Sequence, residues 1–149
     1  MTRPDPELAP YRPSNVELRS ILGDARTVAV VGLSSDPQRH SNEVAAYLQD
    51  KGYRIVPVNP NETEVLGERA YPSLLDVPEE LAIDVVDVFR RSEHTPAIAR
   101  DAVARGARVL WLQDGIVNDE ARSIAEAAGL TVVMGVCIKR TRRRMEEER

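Results

Sequence analysis

Short runs of β-branched and other apolar residues recur along the chain from Thr27 onward, and segments with helical spacing separate them. Each run is too short and too rich in β-branched residues for a helix. Strands that alternate with helices are typical of βαβ units, in which a parallel sheet is covered on both faces. The pattern predicts five strands: Thr27–Leu33, Tyr53–Val58, Ile83–Phe89, Ala107–Leu112 and Leu130–Met134.

The segments between the strands are predicted to be helices because their apolar residues recur at helical spacing and their ends carry capping residues. Thr95 is predicted to cap one helix, with Pro96 at its first position, and Asn118 to cap the next. Glu64–Glu80 contains one glycine and two prolines, so only a short turn is expected there. The predicted segments are Asn15–Ala25, a helix through Val44, Ala45 and Leu48 that ends at Gly52, a turn near Ser73–Val77, Thr95–Gly106 and Asn118–Gly129.

This order of elements predicts an α/β fold, with a doubly wound, mainly parallel five-stranded sheet and helices on both faces. The 149 residues are enough for one domain with its own core. Closely spaced prolines predict an extended arm at residues 1–13, and the charged residues 141–149 predict a tail, which places the domain at residues 14–140. For the charged end, the prediction favours a solvated terminal helix over a tail that contacts phosphate.

Composition narrows the classes of protein. The net charge of −4 argues against a nucleic-acid partner, and no apolar run approaches the length of a membrane-spanning helix. The single cysteine cannot form an internal disulfide, and the first residues lack the apolar stretch of a secretory signal. The sequence therefore predicts a cytoplasmic protein, and it leaves open a homo-oligomer or a protein partner.

In an open doubly wound sheet, ligands bind outside the carboxyl ends of the strands. The loop after the first strand has a single glycine, Gly32, so it is neither a dinucleotide fingerprint nor a P-loop. Its Ser34 and Ser35 hydroxyls, backbone N–H groups and the following helix N-terminus predict a weak phosphate site with Arg39 as counter-charge. An ordinary polar loop is the equal alternative. Asn59, where an NAD protein presents a carboxylate, disfavours NAD.

Two adjacent arginines, Arg90 and Arg91, follow the third strand and precede a helix N-terminus. This arrangement favours an anion site, and the alternative is a solvated pair whose stems cover apolar surface. Neither His40 nor His94 has a carboxylate or cysteine at metal-ligand spacing, so no metal site is expected. No catalytic constellation is evident. Cys137 is predicted to be a buried small hydrophobe, and Trp111 to belong to the core.

Taken together, the loops resemble those of a known family: the small stand-alone bacterial and archaeal proteins built from a coenzyme A (CoA)-binding domain. They are more distantly similar to the N-terminal domain of the succinyl-CoA synthetase α subunit. The resemblance covers about Ser14–Lys139 and implies a Rossmann-like fold. It is carried by VAVVGLSSDP, GYRIVPVNPNETEVLGERAYPSL, DVVDVFRRSEHTPAIA, GARVLWLQDGI and AGLTVVMGVCIK.

The resemblance implies that CoA or an acyl-CoA is bound at the carboxyl ends of the strands. The family's lysine after the second strand has no counterpart in Asn59–Glu64, so Arg39, Arg90 or Arg91 would have to meet the phosphate charge. Val58 and Phe89 are expected to flank the adenine. The implied binding residues are Gly32, Leu33, Ser34, Ser35, Arg39, Val58, Asn59, Pro60, Phe89, Arg90, Arg91, Leu112, Gln113 and Asp114.

Two departures limit what the resemblance implies. The synthetase's phosphorylated histidine belongs to a second domain, so ligase activity is not expected here. Stand-alone relatives carry Asp-Arg-Cys where this sequence has Gly135-Val136-Cys137. The leading hypothesis is therefore a CoA-binding protein with no catalysis of its own. An acyl-CoA- or nucleotide-dependent enzyme with a reactive Cys137 or His94, and a CoA-responsive regulatory partner domain, both stay open.

Overall fold

The computed structural model of the protein describes residues 10–148, so residues 1–9 of the predicted arm lie outside the described part. All five predicted strands are confirmed, each slightly shorter than the sequence pattern indicates. The strands are β1 Thr27–Val31, β2 Arg54–Val58, β3 Glu64–Val65, β4 Glu68–Arg69, β5 Val85–Val88, β6 Val109–Leu112 and β7 Thr131–Val133. The helices are α1 Asn15–Asp24, α2 His40–Asp50, α3 Thr95–Ala104, α4 Asp119–Ala127 and α5 Ile138–Glu147.

Five strands form one parallel sheet in the order β2-β1-β5-β6-β7. The chain passes from β1 to β2 on one side and then crosses to β5 on the other side of β1, so the strand order reverses at β1 and β5. Connections that leave a parallel sheet in opposite directions open a crevice at the carboxyl ends of those two strands. The predicted doubly wound, Rossmann-like fold is confirmed.

Helices cover both faces of the sheet. Helices α1, α2 and α5 enclose one core with the β-strand side chains of that face, and α3 and α4 enclose the other. Trp111 is fully buried in the first core, as predicted, and Cys137 is 3% exposed. No helix within residues 10–148 is both long and apolar enough to cross a membrane.

Two local features differ from the sequence expectation. The segment before the short 3-10 turn at Leu74–Asp76 contains the hairpin β3–β4, whose two-residue turn places Leu66 and Gly67 at φ values of 54° and 77°. Thr95 was expected to cap α3, which is wrong: His94 occupies the cap position, and the Thr95 hydroxyl donates a hydrogen bond to the carbonyl oxygen of Ser92 at 2.6 Å. Asn118 does cap α4, since its side chain accepts from the N–H of Ala121 at 2.8 Å.

The charged C-terminal segment is helical, as predicted, but it packs on the domain. Helix α5 crosses the boundary expected at residue 140, and its first residue, Ile138, is fully buried. The Arg142 guanidinium donates to the hydroxyl of Tyr53 at 3.2 Å, and Lys51 pairs with Glu146 at 3.1 Å. The segment is therefore not a tail solvated on all sides.

Candidate functional site

Gly32 lies where three strand ends meet. Its N–H donates to the carbonyl oxygen of Val58 at 2.8 Å, and the N–H of Phe89 donates to the carbonyl oxygen of Val31 at 2.8 Å. Gly32 has a φ of +88°, a left-handed conformation that favours glycine. A Cβ atom here would lie 2.6 Å from the Phe89 carbonyl oxygen. Glycine therefore allows β1 and β5 to approach closely at the reversal point.

The loop after Gly32 pairs several of its own polar groups with one another. The N–H of Ser34 donates to Oγ of Ser41 at 3.1 Å, and the N–H of Asp36 donates to Oγ of Ser34 at 3.1 Å. The N–H of Gln38 donates to the Asp36 carboxylate at 2.9 Å. The expectation of free backbone N–H groups is thus wrong at these three positions, because the loop's own hydroxyl and carboxylate oxygens occupy them. Ser35 is exposed.

Asn59 connects the two loops that follow β1 and β2. Its amide nitrogen donates to the carbonyl oxygen of Leu33 at 3.0 Å, and its Oδ1 accepts from the N–H of Asn61 at 2.9 Å. Both functions of the amide are therefore used within the protein. The geometry gives Asn59 a positioning role for the loop above the crevice.

A cleft of about 290 Å³ opens beside the reversal point, between β2 and α3. Three residues predicted from the sequence line it: Val58, Pro60 and Arg90. Leu74 and Ile98 add apolar walls. We call this space the β2–α3 cleft. The carboxylates of Glu93 and Asp101 also line it. A mixture of apolar walls and a few charged groups is typical of a small-molecule site.

Arg105 holds the far wall of the β2–α3 cleft. Its guanidinium donates hydrogen bonds to four carbonyl oxygens between Leu74 and Leu81, including those of Leu74 at 2.9 Å and Pro78 at 3.1 Å. One side chain on the last turn of α3 therefore fastens the irregular segment that contains the 3-10 turn. The sequence pattern did not indicate this contact.

The three arginines predicted as phosphate ligands form no salt bridge within the described residues. Arg39 and Arg91 are exposed, and Arg90 is half-buried against Gly32. A larger cavity, of about 460 Å³, lies beyond the amino ends of the strands beside α5. Four cations line it, and three of them are paired: Arg19 with Glu148, and both Lys51 and Arg142 with Glu146. The fourth, Arg26, forms no salt bridge within residues 10–148. Cavity size therefore points to the amino edge of the sheet, whereas strand topology points to the carboxyl edge, which we take as the site.

Gln113 was predicted to contact the ligand, but it is only 2% exposed. Its amide donates to Oδ1 of Asp87, which is completely buried in β5. Burial raises the pKa of Asp87 to about 8 despite this hydrogen bond. The Asp87 Oδ2 and Gln113 Oε1 atoms have no partner within the described residues. The side chains of Leu33 and Leu112 are also buried, so these positions could offer a ligand only their backbone.

Three chemically active side chains from different connections meet at the carboxyl edge of the sheet. His40 contacts the half-buried Phe89 edge-on, with ring centroids 6.0 Å apart. Ligand atoms of His40, Asp114 and Cys137 all lie within 4.8 Å of one another. Asp114 also pairs with Arg140. Spacing along the chain gave no sign of this cluster, although the strand topology places all three residues beyond carboxyl strand ends.

A family model described as "CoA binding domain" matches residues 26–143. The uncharacterized protein YneT of Bacillus subtilis is 45% identical over 127 residues, which cover 85% of this chain and 93% of YneT. A solved hypothetical protein from Pyrococcus horikoshii has 37% identity and a TM-score of 0.86, and the alignment covers 98% of this chain and 99% of that one.

Longer relatives are enzymes. The α subunit of ADP-forming acetate–CoA ligase II from Pyrococcus furiosus is 38% identical over 122 residues, which cover 76% of this chain. The chain spans only 27% of that subunit. The family predicted from the loops is thus confirmed. Since the family match extends over most of the chain, the protein belongs to the CoA binding domain family and is related to the CoA-binding part of ADP-forming acetate–CoA ligases.

Proposed function

We propose that this protein binds CoA or an acyl-CoA at the carboxyl edge of its sheet and has no catalysis of its own. The observation that carries the proposal is the set of guanidinium groups at Arg39, Arg90 and Arg91, which have no carboxylate partner among residues 10–148. They follow β1 and β5, the two strands at the reversal point, where doubly wound folds bind ligands. Their charge complements a compact, highly phosphorylated cofactor.

CoA divides into parts that suit different regions of this edge. The adenine has flat faces that pack on apolar side chains, and Val58 and Pro60 offer an apolar wall in the β2–α3 cleft. The 3′-phosphate and the diphosphate require cations, which Arg90, Arg91 and Arg39 supply as charge-assisted hydrogen-bond donors. The pantetheine arm then runs across Phe89 toward the other end of the edge.

Titration calorimetry with purified protein tests this assignment. CoA is expected to bind more tightly than 3′-dephospho-CoA, and NAD is expected to give no heat. Arg90→Ala and Arg91→Ala should each weaken CoA binding by roughly tenfold or more, the range expected for one lost charged hydrogen bond. Absence of heat with CoA at high micromolar concentration would overturn the proposal.

The matched control is Arg108→Ala. Arg108 is exposed and precedes β6, so its removal makes the same change in charge at the amino edge of the sheet. The Arg108→Ala variant should bind CoA with the same affinity as the unaltered protein. An equal loss of affinity in Arg108→Ala and Arg90→Ala would show that net charge, rather than the carboxyl-edge site, determines binding.

Native mass spectrometry of freshly purified protein offers an independent test. A copurifying adduct with the mass of CoA or an acyl-CoA is expected, and the mass of the acyl group would identify the form that is bound. The competing hypothesis of a reactive Cys137 predicts covalent labelling by iodoacetamide. A side chain that is 3% exposed argues against such labelling in the folded protein.

A further inference from the structure

His40, Asp114 and Cys137 form a cluster that the proposed CoA contacts do not explain. His40 is the first residue of α2, Asp114 follows β6, and Cys137 precedes α5. One imidazole nitrogen, one carboxylate oxygen and the thiol sulfur lie within 4.8 Å of one another. Three different ligating groups are thus gathered at one point of the carboxyl edge.

These are ligand types that zinc takes in proteins. A tetrahedral zinc ion with ordinary bond lengths places its ligand atoms about 3.3–3.6 Å apart, so no pair of ligand atoms needs to approach by more than about 1.5 Å. His40 and Asp114 have side chains 55% and 46% exposed, which leaves them room to rotate. Cys137 provides the rigid member, because it is buried and its carbonyl oxygen accepts two hydrogen bonds from Thr141.

The groups around the cluster match the outer shell of a metal site. Nδ1 of His40 lies 3.8 Å from Oε2 of Glu43, and a carboxylate beside the second ring nitrogen commonly orients a ligating histidine. The Glu43 carboxylate is in turn held by Lys139 at 2.7 Å. Arg140 pairs with Asp114, so that carboxylate also has an orienting partner. Each exposed ligand therefore has a charged neighbour that can orient it after it has rotated toward the ion.

We propose that His40, Asp114 and Cys137 bind a divalent transition-metal ion, with Zn²⁺ the best match to this ligand set. The thiol loses its proton to solvent on binding, so the thiolate and the carboxylate together balance the two positive charges of the ion. Three protein ligands leave a fourth position open to water or to an added ligand. Hard ions such as Mg²⁺ are not expected to compete, because they avoid thiolate ligands.

Cobalt(II) provides the probe, because thiolate-bound Co²⁺ has an intense charge-transfer absorption and tetrahedral Co²⁺ has strong visible bands. The full-length, untagged protein is titrated with Co²⁺ in the absence of CoA, so the result does not depend on the proposed CoA binding. We expect saturation at one equivalent, with both absorption features, and bleaching by one equivalent of Zn²⁺ but not by excess Mg²⁺.

Variants assign the ligands. Cys137→Ser should abolish the charge-transfer absorption, and His40→Gln and Asp114→Asn should each weaken Co²⁺ binding at least tenfold. His94→Gln removes the other, exposed histidine and should bind Co²⁺ like the unaltered protein. Thermal unfolding of each variant verifies that it is folded, and the two surface variants keep the test decisive if Cys137→Ser does not fold. Absence of the charge-transfer absorption in the unaltered protein, or unchanged affinity in His40→Gln and Asp114→Asn, would overturn the proposal.

Discussion

The carbonyl oxygen of Phe89 lies 2.6 Å from the point where a Cβ atom of residue 32 would stand, so only glycine fits between β1 and β5 at this level. The contact joins the two strands at which the sheet order reverses. The ring of Phe89 contacts His40, and the next residue, Arg90, lines the β2–α3 cleft. A single glycine thus allows the close approach that positions both Phe89 and Arg90.

Replacing Gly32 with alanine should therefore destabilise the protein and disturb ligand binding. The left-handed backbone costs an L-residue about 1–2 kcal/mol, and the clash with Phe89 should add about 1–3 kcal/mol. The control is Gly129→Ala, at a φ of +87° with nothing within 4 Å of the new Cβ, which should show the backbone cost alone. Urea denaturation measures both. Equal losses of stability would contradict the close contact.

Asp87 is expected to make the stability of the protein depend on pH. Below about pH 4 its carboxyl is protonated in both the folded and the unfolded chain. Because burial raises the folded pKa to about 8, unfolding releases a proton between about pH 4 and pH 8, and the free energy of unfolding falls as the pH rises through that range. Above it, both states are ionised and the effect is constant.

Asp87→Asn should remove this slope, because an amide cannot ionise and can offer Gln113 both a donor and an acceptor. Denaturant unfolding between pH 4.5 and pH 9 should show the difference from the unaltered protein growing with pH. Asp50→Asn, at an exposed position, should keep the original slope. Parallel pH profiles for the unaltered protein and Asp87→Asn would show that Asp87 is ionised when folded.

Arg105 should stabilise the wall of the β2–α3 cleft more than the exposed Arg100 of α3 does. Arg105→Ala leaves carbonyl oxygens between Leu74 and Leu81 without their donor, which should cost about 1–3 kcal/mol. Hydrogen exchange should accelerate in residues 72–81, and CoA should bind more weakly. Arg100→Ala, on the same helix and paired with the exposed Glu120 at 3.4 Å, should change stability by less than about 0.5 kcal/mol. Unchanged exchange in Arg105→Ala would contradict the role of the guanidinium.

Helix α5 should contribute to the stability of the domain through Arg142. This guanidinium contacts Tyr53, whose hydroxyl donates to the carbonyl oxygen of Leu22, so the contact links α5 to β2 and α1. Arg142→Ala is expected to lower the free energy of unfolding by about 1–2 kcal/mol. Arg143→Ala, an exposed neighbour on the same helix, should have almost no effect. Similar thermal midpoints for the two variants would mean that α5 is only loosely attached.

The elements that the sequence predicted best are those whose signal is local. The five parallel strands are runs of apolar and β-branched residues. Both faces of the sheet are buried, so each strand is apolar along most of its length, and this pattern can be read without knowing the neighbouring strands. The Asn118 cap was predictable for the same reason, since it acts on an N–H three residues away. The hairpin at Glu64–Arg69 was missed because its strands have two residues each, too few to form a pattern.

The residues of the candidate site remain a prediction, and the structure shows only which of them lie together. Strand topology directed attention to Val58 and Arg90, and both line the β2–α3 cleft. The sequence could not show that Ser34 would bind a neighbouring N–H, or that Gln113 would turn inward to Asp87. Those choices depend on which hydrogen-bond partners the folded chain brings within 3 Å.

By itself, the sequence determined the fold class, the family and the edge of the sheet at which a ligand is to be sought, because hydrophobic period and loop motifs are written along the chain. Only the tertiary structure decided which charged and polar groups have a partner within the protein. It paired Arg19 and Lys51 beside α5 with glutamates, left Arg90 and Arg91 without a carboxylate partner within residues 10–148, and gathered His40, Asp114 and Cys137. The physical reason is that charge pairing and metal ligation act over a few ångströms in space, whereas the residues that meet there are far apart in the chain.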